Sequence, residues 1–397
     1  MNQTLFLIKF AFRNLLRNPG RTLLIALSLT LSQAFIIWAL NFSFSGSQEV
    51  VDQFLKTFQG HYQVTHKDYF VEGNIKEFDF FRTIKDQDFD SIDPESSPRI
   101  TSFGFLSGLH SSKGVMIMGI DPELESRFTK LAETVKVGEF LNDSSPFEIL
   151  IGKRLAKKLQ VNVGDEIALV GQGFDGSFAN ELFVVKGLFD FGGGDKEEKM
   201  AFMSITSAHN FYAIPESLYH SRTFFHRTAP KISNQNLALY PWSKTVPEVY
   251  LSIRLIDNFT KIISFILILV ISLGLSNSLM VSFIERDKEL RTMSILGAGR
   301  FKVISILGIE VLTLSAISLA FGLILGHLAT LYFHYFPLDI KLFTDGKRII
   351  MGGIELAPLI RFYPQYQYYL SVTLVILMFI CLSFLIPLRK VITRKEI

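Results

Sequence analysis

The chain has 397 residues, 49% of them apolar and only 19% charged, with a mean hydropathy of +0.32, a balance unusual for a soluble enzyme. A net charge of +3 without a clustered Lys/Arg stripe excludes a phosphate-tracking nucleic-acid binder. The single cysteine, Cys381, permits no internal disulfide, so any part outside the cytoplasm must stand on its own core.

The first 21 residues carry Lys9, Arg13, Arg17 and Arg21 and no acid. Lys9, Arg13 and Arg17 recur at i, i+4, with Leu5, Ile8, Phe12, Leu15 and Leu16 on other faces, before Pro19-Gly20 breaks the pattern. We assign 1–21 as a cytoplasmic interfacial helix, with a plain positive flank that sets topology as the alternative. Thr22 to Gln48 is free of Asp, Glu, Lys and Arg over 27 residues. Its apolar core, Leu23 to Leu40, is longer than the about 7–15 residues of a signal-peptide core, and no small-x-small cleavage site follows. Residues 22–45 therefore read as a retained transmembrane helix.

Residues 46–258 have ordinary charge and read as an α+β extracytoplasmic domain, with Gln48 to Phe58 continuing the first helix outwards. Val115 to Ile120, Glu166 to Val170 and Leu182 to Leu188 alternate as strands, and Lys153 to Leu159 has helical apolar spacing. Gly171 to Asn180 and Gly192 to Lys199 read as exposed hairpin loops, and 205–250 as a strand-poor half rich in proline. No zinc spacing, Gly-x-Ser-x-Gly elbow or His-Glu-x-x-His pair is present, so no catalytic residue and no metal site is assigned. Asp86, Asp88 and Asp90 mimic the start of a calcium loop, but Ser91 stands where glycine is needed and Ser97 where glutamate is. A solvated acidic loop is the better reading. His61, His66, His110, His209, His220 and His226 are isolated and read as surface or core residues.

Three more charge-free stretches follow: Ile262 to Ile284, Val311 to Leu338 and Phe362 to Leu388. They place transmembrane helices at 259–284, 303–335 and 367–388, separated by a 285–302 segment and a 336–366 extracytoplasmic loop, with a 389–397 tail. The 285–302 segment carries Arg286, Lys288, Arg291, Arg300 and Lys302 against three acids, and the tail carries Arg389, Lys390, Arg394 and Lys395. With four spans these positive segments and the N-terminus share one side, which makes both termini cytoplasmic. The 336–366 loop also holds four basic residues, Lys341, Lys347, Arg348 and Arg361. Glu310 should lie about 10 Å inside the third helix, either paired with a basic residue of the preceding segment or reaching the interface. His327 lies too far along to meet it and reads as packing. Gly274 with Ser278, and Gly322 with Gly326, form small-xxx-small faces that let helix backbones approach.

The segment Glu285-Arg-Asp-Lys-Glu-Leu-Arg-Thr-Met-Ser-Ile-Leu-Gly-Ala298, with Glu310 beyond it, resembles the cytoplasmic segment of the MacB/FtsX/lipoprotein-releasing (Lol) superfamily of ABC permeases. Glu285, Arg286, Glu289, Leu290, Leu296, Gly297, Ala298 and Glu310 match, and Ser294 departs from a position often basic in that family. Arg13-Asn-Leu-Leu-Arg-Asn18, Gly60 to Val64, Gly119-Ile-Asp-Pro122 with Glu125, Ile151-Gly152, Val163-Gly-Asp165 and Asp175-Gly-Ser177 are similar to successive family blocks, in order. The resemblance favours the Lol type and implies an α+β membrane protein. Four transmembrane helices would carry a large MacB-like periplasmic domain inserted between the first two.

The resemblance further implies that 285–302 is a coupling helix. Glu285 and Glu289 stand at i, i+4, and Leu290, Met293 and Leu296 would face a groove of the ATPase or the bilayer. The expected coupling residues are Glu285, Arg286, Glu289, Leu290, Met293, Leu296 and Gly297. No G-x-x-x-x-G-K-[ST] occurs in the sequence, so the chain is not expected to be an ATPase; ATP and Mg would be bound by a partner ABC ATPase subunit. Four spans enclose a route poorly, which implies a dimer with a second copy or a similar permease. The expected role is a mechanotransmitting permease of the bacterial inner membrane that moves a lipoprotein or other amphiphile to a periplasmic carrier. Export of a toxin, peptide or antibiotic, and signalling to a cell-wall hydrolase or sensor kinase, are the alternatives.

Overall fold

The computed structural model describes residues 13, 19–71, 77–89, 93–108, 111–143, 145–192, 194–285, 288–289, 292, 295, 299–347, 349–351, 354–355 and 358–393. In chain order, helix α1 (Pro19–Phe54) ends in a π-turn (Leu55–Gln59) and leads into strand β1 (Tyr62–His66). Strands β2 (Ser96–Ser107) and β3 (Ser112–Ile120) follow, then the short helices α2 (Pro122–Phe128) and α3 (Leu131–Thr134). Next come β4 (Val135–Gly138), β5 (Glu148–Gly152), α4 (Lys153–Leu159), β6 (Glu166–Gln172) and β7 (Phe178–Phe189). Then α5 (Lys196–Lys199), β8 (Met200–Ser204), α6 (Ile205–Tyr212), β9 (Ser221–Phe224), β10 (Leu237–Pro241) and α7 (Trp242–Thr245) complete this region. The rest is helical: α8 (Pro247–Glu285), α9 (Arg300–Tyr335) and α10 (Tyr366–Thr393). Two-residue ladders join Leu338–Asp339 (β11) to Leu359–Ile360 (β14), and Ile350–Met351 (β12) to Ile354–Glu355 (β13).

The chain divides into two compact units. One holds residues up to Ser47, Arg254–Asp339 and Leu359–Ile397; the other holds Gln48–Ile253 and Ile340–Pro358. Each of α1, α8, α9 and α10 contains a stretch long and apolar enough to cross a membrane. The helices outrun the uncharged stretches. α8 starts at Pro247, well before residue 259, because Pro suits a first helical turn and the polar turns after it keep helical spacing. In the helical unit, Ile25, Leu29, Ile36 and Ile37 of α1 meet Ile268 and Leu275 of α8, Leu314 of α9 and Ile376 of α10 in one cluster.

The second unit is built on a ten-stranded mixed sheet in the order β10-β1-β9-β2-β3-β8-β5-β7-β4, with β6 pairing β2 and β7. Strand alternation sorts side chains to two cores. Ile117 of β3, Ile149 and Ile151 of β5, and Ala201 and Met203 of β8 enter one. Met118, Leu150, Met200 and Phe202 from the same strands enter the other, against Phe54, Leu55 and Phe58 at the end of α1 and Val249 of α8. Central strands covered on both faces must be apolar without interruption, as Met200 to Met203 is.

Three sequence expectations change. The β6–β7 hairpin is real, but its turn is shorter than Gly171 to Asn180, since β6 runs to Gln172 and β7 begins at Phe178. Gly192 to Lys199 is neither a hairpin nor exposed as a whole. β8 pairs β3 in parallel, Glu197 is buried, and a Cβ at Gly192 would lie 2.3 Å from the Cβ of Glu355. Residues 205–250 are not strand-poor: β9 and β10 flank β1 and complete the same sheet. Of their prolines, Pro241 ends β10 and Pro247 starts α8, while Pro215 and Pro230 lie in loops, positions where a missing N–H costs little.

Candidate functional site

The helical unit is knitted by polar groups at helical spacing along α1. Gln33 is fully buried, and its Nε2 donates to Thr373 Oγ1 of α10 at 2.8 Å. Thr30 Oγ1 donates to the Ser318 carbonyl of α9 at 3.0 Å. Asn41 Nδ2 donates to the Ile37 carbonyl at 2.9 Å and reaches Thr330 Oγ1 at 3.4 Å. The backbone N–H groups of Gln365 and Tyr363 donate to Asn41 Oδ1 and Ser45 Oγ, at 2.9 and 2.8 Å. Lipid offers such groups no partner, so they select one helix register at about 0.6–2 kcal/mol each.

Gly322 and Gly326 lie on the other side of this seam. A Cβ at Gly322 would fall 2.6 Å from Gln33 Oε1, and one at Gly326 would fall 3.2 Å from the Ala34 Cα. The α9 face thus meets α1. Gly274 differs: among the described residues nothing lies within 4 Å of its would-be Cβ, while Ser278 nearby is half-buried. α8 joins α10 instead through Ser272 Oγ and Ser383 Oγ, 2.6 Å apart. His327 is more than packing, since its Nδ1 meets the Tyr369 hydroxyl of α10 at 3.3 Å.

Between α8 and α9, Lys288, Glu289, Thr292 and Ile295 are helical, and Thr292 Oγ1 donates to the Lys288 carbonyl at 2.9 Å. Glu285 is exposed at the end of α8, Glu289 is half-buried, and Ile295 is 84% exposed. Arg286, Leu290, Met293, Leu296 and Gly297 lie outside the described residues, as does the pattern of 1–12. Gly299 is extended and stands immediately before α9, accepting from the Lys302 N–H at 2.9 Å. Glu310 is half-buried within α9.

In the sheet unit, the ends of α1 and α8 are held by charge as well as by apolar contact. Arg99 of β2 donates from Nε to Glu125 Oε1 at 2.8 Å, its Nη2 lies 2.7 Å from the same oxygen, and Nη2 also donates to the Phe58 carbonyl. Both side chains are buried. Burial pushes the Glu125 carboxyl above the usual range, and Arg99 works against that push. Lys196 Nζ sits 4.5 and 4.8 Å from the ring centres of Phe54 and Phe58. Burial lowers its amine to about 8, against the pull of Glu248 at the start of α8.

The acidic loop is spent internally. Asp86 accepts from the Tyr219 hydroxyl at 2.6 Å and from Arg222, and Asp88 accepts from the Lys85 N–H at 2.9 Å. Asp90 lies outside the described residues, among which no cluster of three or more metal-type ligands occurs. His220 is a core residue: Nδ1 accepts from the Thr101 N–H at 2.9 Å and Nε2 donates to the Phe80 carbonyl at 2.8 Å. His226 lies 2.8 Å from Asp93.

Several family-like blocks prove to be caps and turns. Asp121 caps α2 by accepting from the N–H groups of Glu123 and Leu124, with Pro122 at the first helical position. Gly176 takes a positive φ of 81° in the β6–β7 turn, where Asp175 accepts from Ser177 N–H. The seam residues Thr30, Gln33, Asn41 and Ser45 escaped the sequence reading. Their signal was present, as polar side chains at helical spacing inside an apolar run.

Four long apolar helices bonded to one another, with a mixed-sheet unit between the first two in sequence, are the parts of an ABC transporter permease. Residues 261–395 match the FtsX-like permease C-terminal family, and residues 22–238 match the MacB-like periplasmic core domain. The second match alone covers more than half the chain, which belongs to the MacB/FtsX superfamily of ABC permeases, with its curated relatives of the LolC type. The lipoprotein-releasing system transmembrane protein LolC of Haemophilus influenzae is 26% identical over 230 residues, 55% of this chain and 56% of that protein. LolC of Buchnera aphidicola is 24% identical over 243 residues, 57% of this chain and 59% of that one. The matches therefore span less than two thirds of either relative. The crystal structure of the periplasmic region of MacB from Actinobacillus actinomycetemcomitans overlaps 49% of this chain and 92% of its own length, with a TM-score of 0.33 and 13% identity.

Proposed function

We propose that the chain is the mechanotransmitting permease of an ABC transporter that releases lipoproteins, or a similar acylated cargo, from the outer leaflet of the bacterial inner membrane. The observation that carries this reading is the double use of α1 and α8. Each has an apolar membrane-length stretch, and the far end of each packs into the core of the sheet unit through Phe54, Leu55, Phe58 and Val249. A shift of either helix is then felt in a packed core, which responds as a unit instead of yielding locally. In this proposal a separate ATPase binds ATP and Mg and docks on the 285–302 segment. Its closure moves the helices, and the sheet unit hands cargo to a periplasmic carrier.

The placement of both termini in the cytoplasm and of the sheet unit in the periplasm belongs to this proposal, supported by the positive segments. So does dimerisation with a second or similar permease, which would give the outward face of Gly274 a neighbour. A shallow apolar crevice in the helical unit, lined by Leu29, Ile268, Ile271, Leu275, Ile376 and Phe379 among others, lies where α1, α8 and α10 meet. The relatives' printed name, a lipoprotein-releasing system protein, favours lipoprotein over peptide export or signalling.

The test is charge reversal Glu289→Lys combined with Leu290→Ala, in membranes that also contain the cognate ATPase. We expect ATPase association to weaken by about 2 kcal/mol or more, the loss typical of a buried docking residue, and ATP-dependent cargo release to stop. Insertion should be unchanged. Wild-type copurification and wild-type release at equal abundance would refute the docking role.

A further inference from the structure

The turn between α9 and α10 carries an apolar tip that the permease reading does not use. After α9 ends at Tyr335, the β11–β14 ladder pairs Leu338 with Ile360 and Asp339 with Leu359, closing the loop at its base. A 3-10 turn over Ile340–Phe343 then presents Leu342 and Phe343, which are 78% and 75% exposed. The tip is tied by its own hydrogen bonds. Ile340 N–H donates to the Pro358 carbonyl, Gly346 N–H to the Lys341 carbonyl, and Thr344 Oγ1 to the Lys347 carbonyl. Asp345 and Gly346 take positive φ values of 50° and 72° to close the turn. Ordered backbone with two large apolar side chains directed outwards is a costly arrangement unless something covers them.

We propose that this tip is a lipid wedge: Leu342 and Phe343 enter the outer surface of the bilayer beside the permease, and Lys341 and Lys347 meet its phosphate headgroups. Three observations select a lipid surface as the occupant. The first is tether length. Leu342 lies four residues beyond Leu338, so the chain allows at most about 14 Å between them. Leu338 in turn is three residues from the end of a membrane-length helix. The second is an aromatic belt at the same helix ends: Tyr335, Phe336 and Tyr366 are 74%, 64% and 69% exposed, and such residues mark the level of the headgroups. The third is charge. Lys341 and Lys347 flank the apolar pair against a single acid, Asp345, a positive balance of the kind interfacial segments use to bind anionic lipid. Lys341 and Lys347 also line one shallow concavity at the base of the tip, with Thr344 and Glu355.

Such a wedge would fix the level of the loop against the lipid from which cargo is drawn. It also bears on the sheet unit, because the Glu355 N–H donates to the Phe191 carbonyl and Gly192 packs on Glu355. A loop seated in lipid would thereby bear on Phe191 and Gly192 of the sheet unit.

The inference rests on α9 and α10 spanning the membrane, and the experiment separates the two. In full-length protein carrying Cys381→Ser, a spin label is placed by Phe343→Cys, Leu328→Cys or Phe178→Cys. The protein is reconstituted in vesicles of phosphatidylethanolamine and phosphatidylglycerol. Collision with oxygen reports lipid, and collision with an aqueous nickel chelate reports water. We expect the label at 343 to be several-fold less accessible to nickel than the one at 178, and as open to oxygen as the one at 328. Neutralising Lys341→Gln and Lys347→Gln together should raise nickel accessibility at 343. A water-exposed label at 328 overturns the spanning helices and the wedge with them. A lipidic label at 328 with an aqueous one at 343 overturns the wedge alone. A label at 343 hidden from both reagents points to a protein partner and also overturns it.

Discussion

Arg99 illustrates how one side chain serves two masters at the residue scale. Its guanidinium neutralises the buried Glu125 carboxylate and satisfies the Phe58 carbonyl, where the α1 π-turn releases its last backbone acceptors. Removing one member of a buried ion pair strands the other, which costs about 3–5 kcal/mol. Arg99→Leu should therefore lower the denaturant midpoint strongly. The double change Arg99→Met with Glu125→Leu should recover most of that loss, and the Phe58 carbonyl should remain as a deficit of about 1 kcal/mol. Equal losses in the single and double variants would show that the charge pair is not the cause. His220 contributes to acid sensitivity. Burial holds its imidazole at about 4 against an ordinary 6.5, so between those values the unfolded chain binds the extra proton. Stability should fall as pH drops from 6.5 to 4, by about 3 kcal/mol from this residue at most, and the residue should add nothing below that. Unfolding curves of His220→Asn should start lower at pH 7 but lose less on acidification. A variant as steep as the wild type would assign the acid sensitivity to other groups.

At the scale of elements, α1 is the helix whose register matters most. It meets α9 through Gly322 and Gly326, α10 through Gln33, and the segment leading into α10 through Asn41 and Ser45. The two glycine faces then make opposite predictions. Gly326→Leu must displace the Ala34 backbone and Ile37, an overpacking cost of about 1–3 kcal/mol, and should lower the melting temperature in detergent. A Cβ at Gly274 meets nothing within 4 Å among the described residues, so Gly274→Leu should leave the melting temperature of the isolated chain unchanged. If Gly274→Leu instead shifts the oligomer on size exclusion without altering the melting temperature, that face contacts another subunit. If it destabilises the monomer, the open face assigned to α8 is wrong.

The whole molecule is organised by which segments share a unit. Residues 340–358, between α9 and α10, belong with 48–253, between α1 and α8. The proposed four-span topology puts both segments on one side of the membrane, with the four helix ends that feed the unit emerging together. Cysteines introduced at Asp175 and Asp345 should react with an impermeant reagent from the same side, and one at Thr292 from the opposite side, all in a Cys381→Ser background. Labelling of 175 and 345 from opposite faces would break the four-span arrangement.

What the sequence determined by itself was the apolar framework: four uncharged stretches, the strands at 115–120, 166–170 and 182–188, and the 153–159 helix. Burial in lipid or between helices imposes a composition and a period that survive in a single chain. The family blocks were legible for a similar reason, since caps and positive-φ turns such as Asp121-Pro122 and Asp175-Gly176 demand particular residue types. Only the tertiary structure decided the rest. That β9 and β10 complete the sheet, that β8 pairs β3 in parallel, and that Asp86 bonds Arg222 all depend on partners more than 80 residues away. Pairings at that distance leave no local period. The polar seam of α1 lies between these cases: its spacing was written in the sequence, but which helix each side chain faces was fixed only when α9 and α10 packed against it.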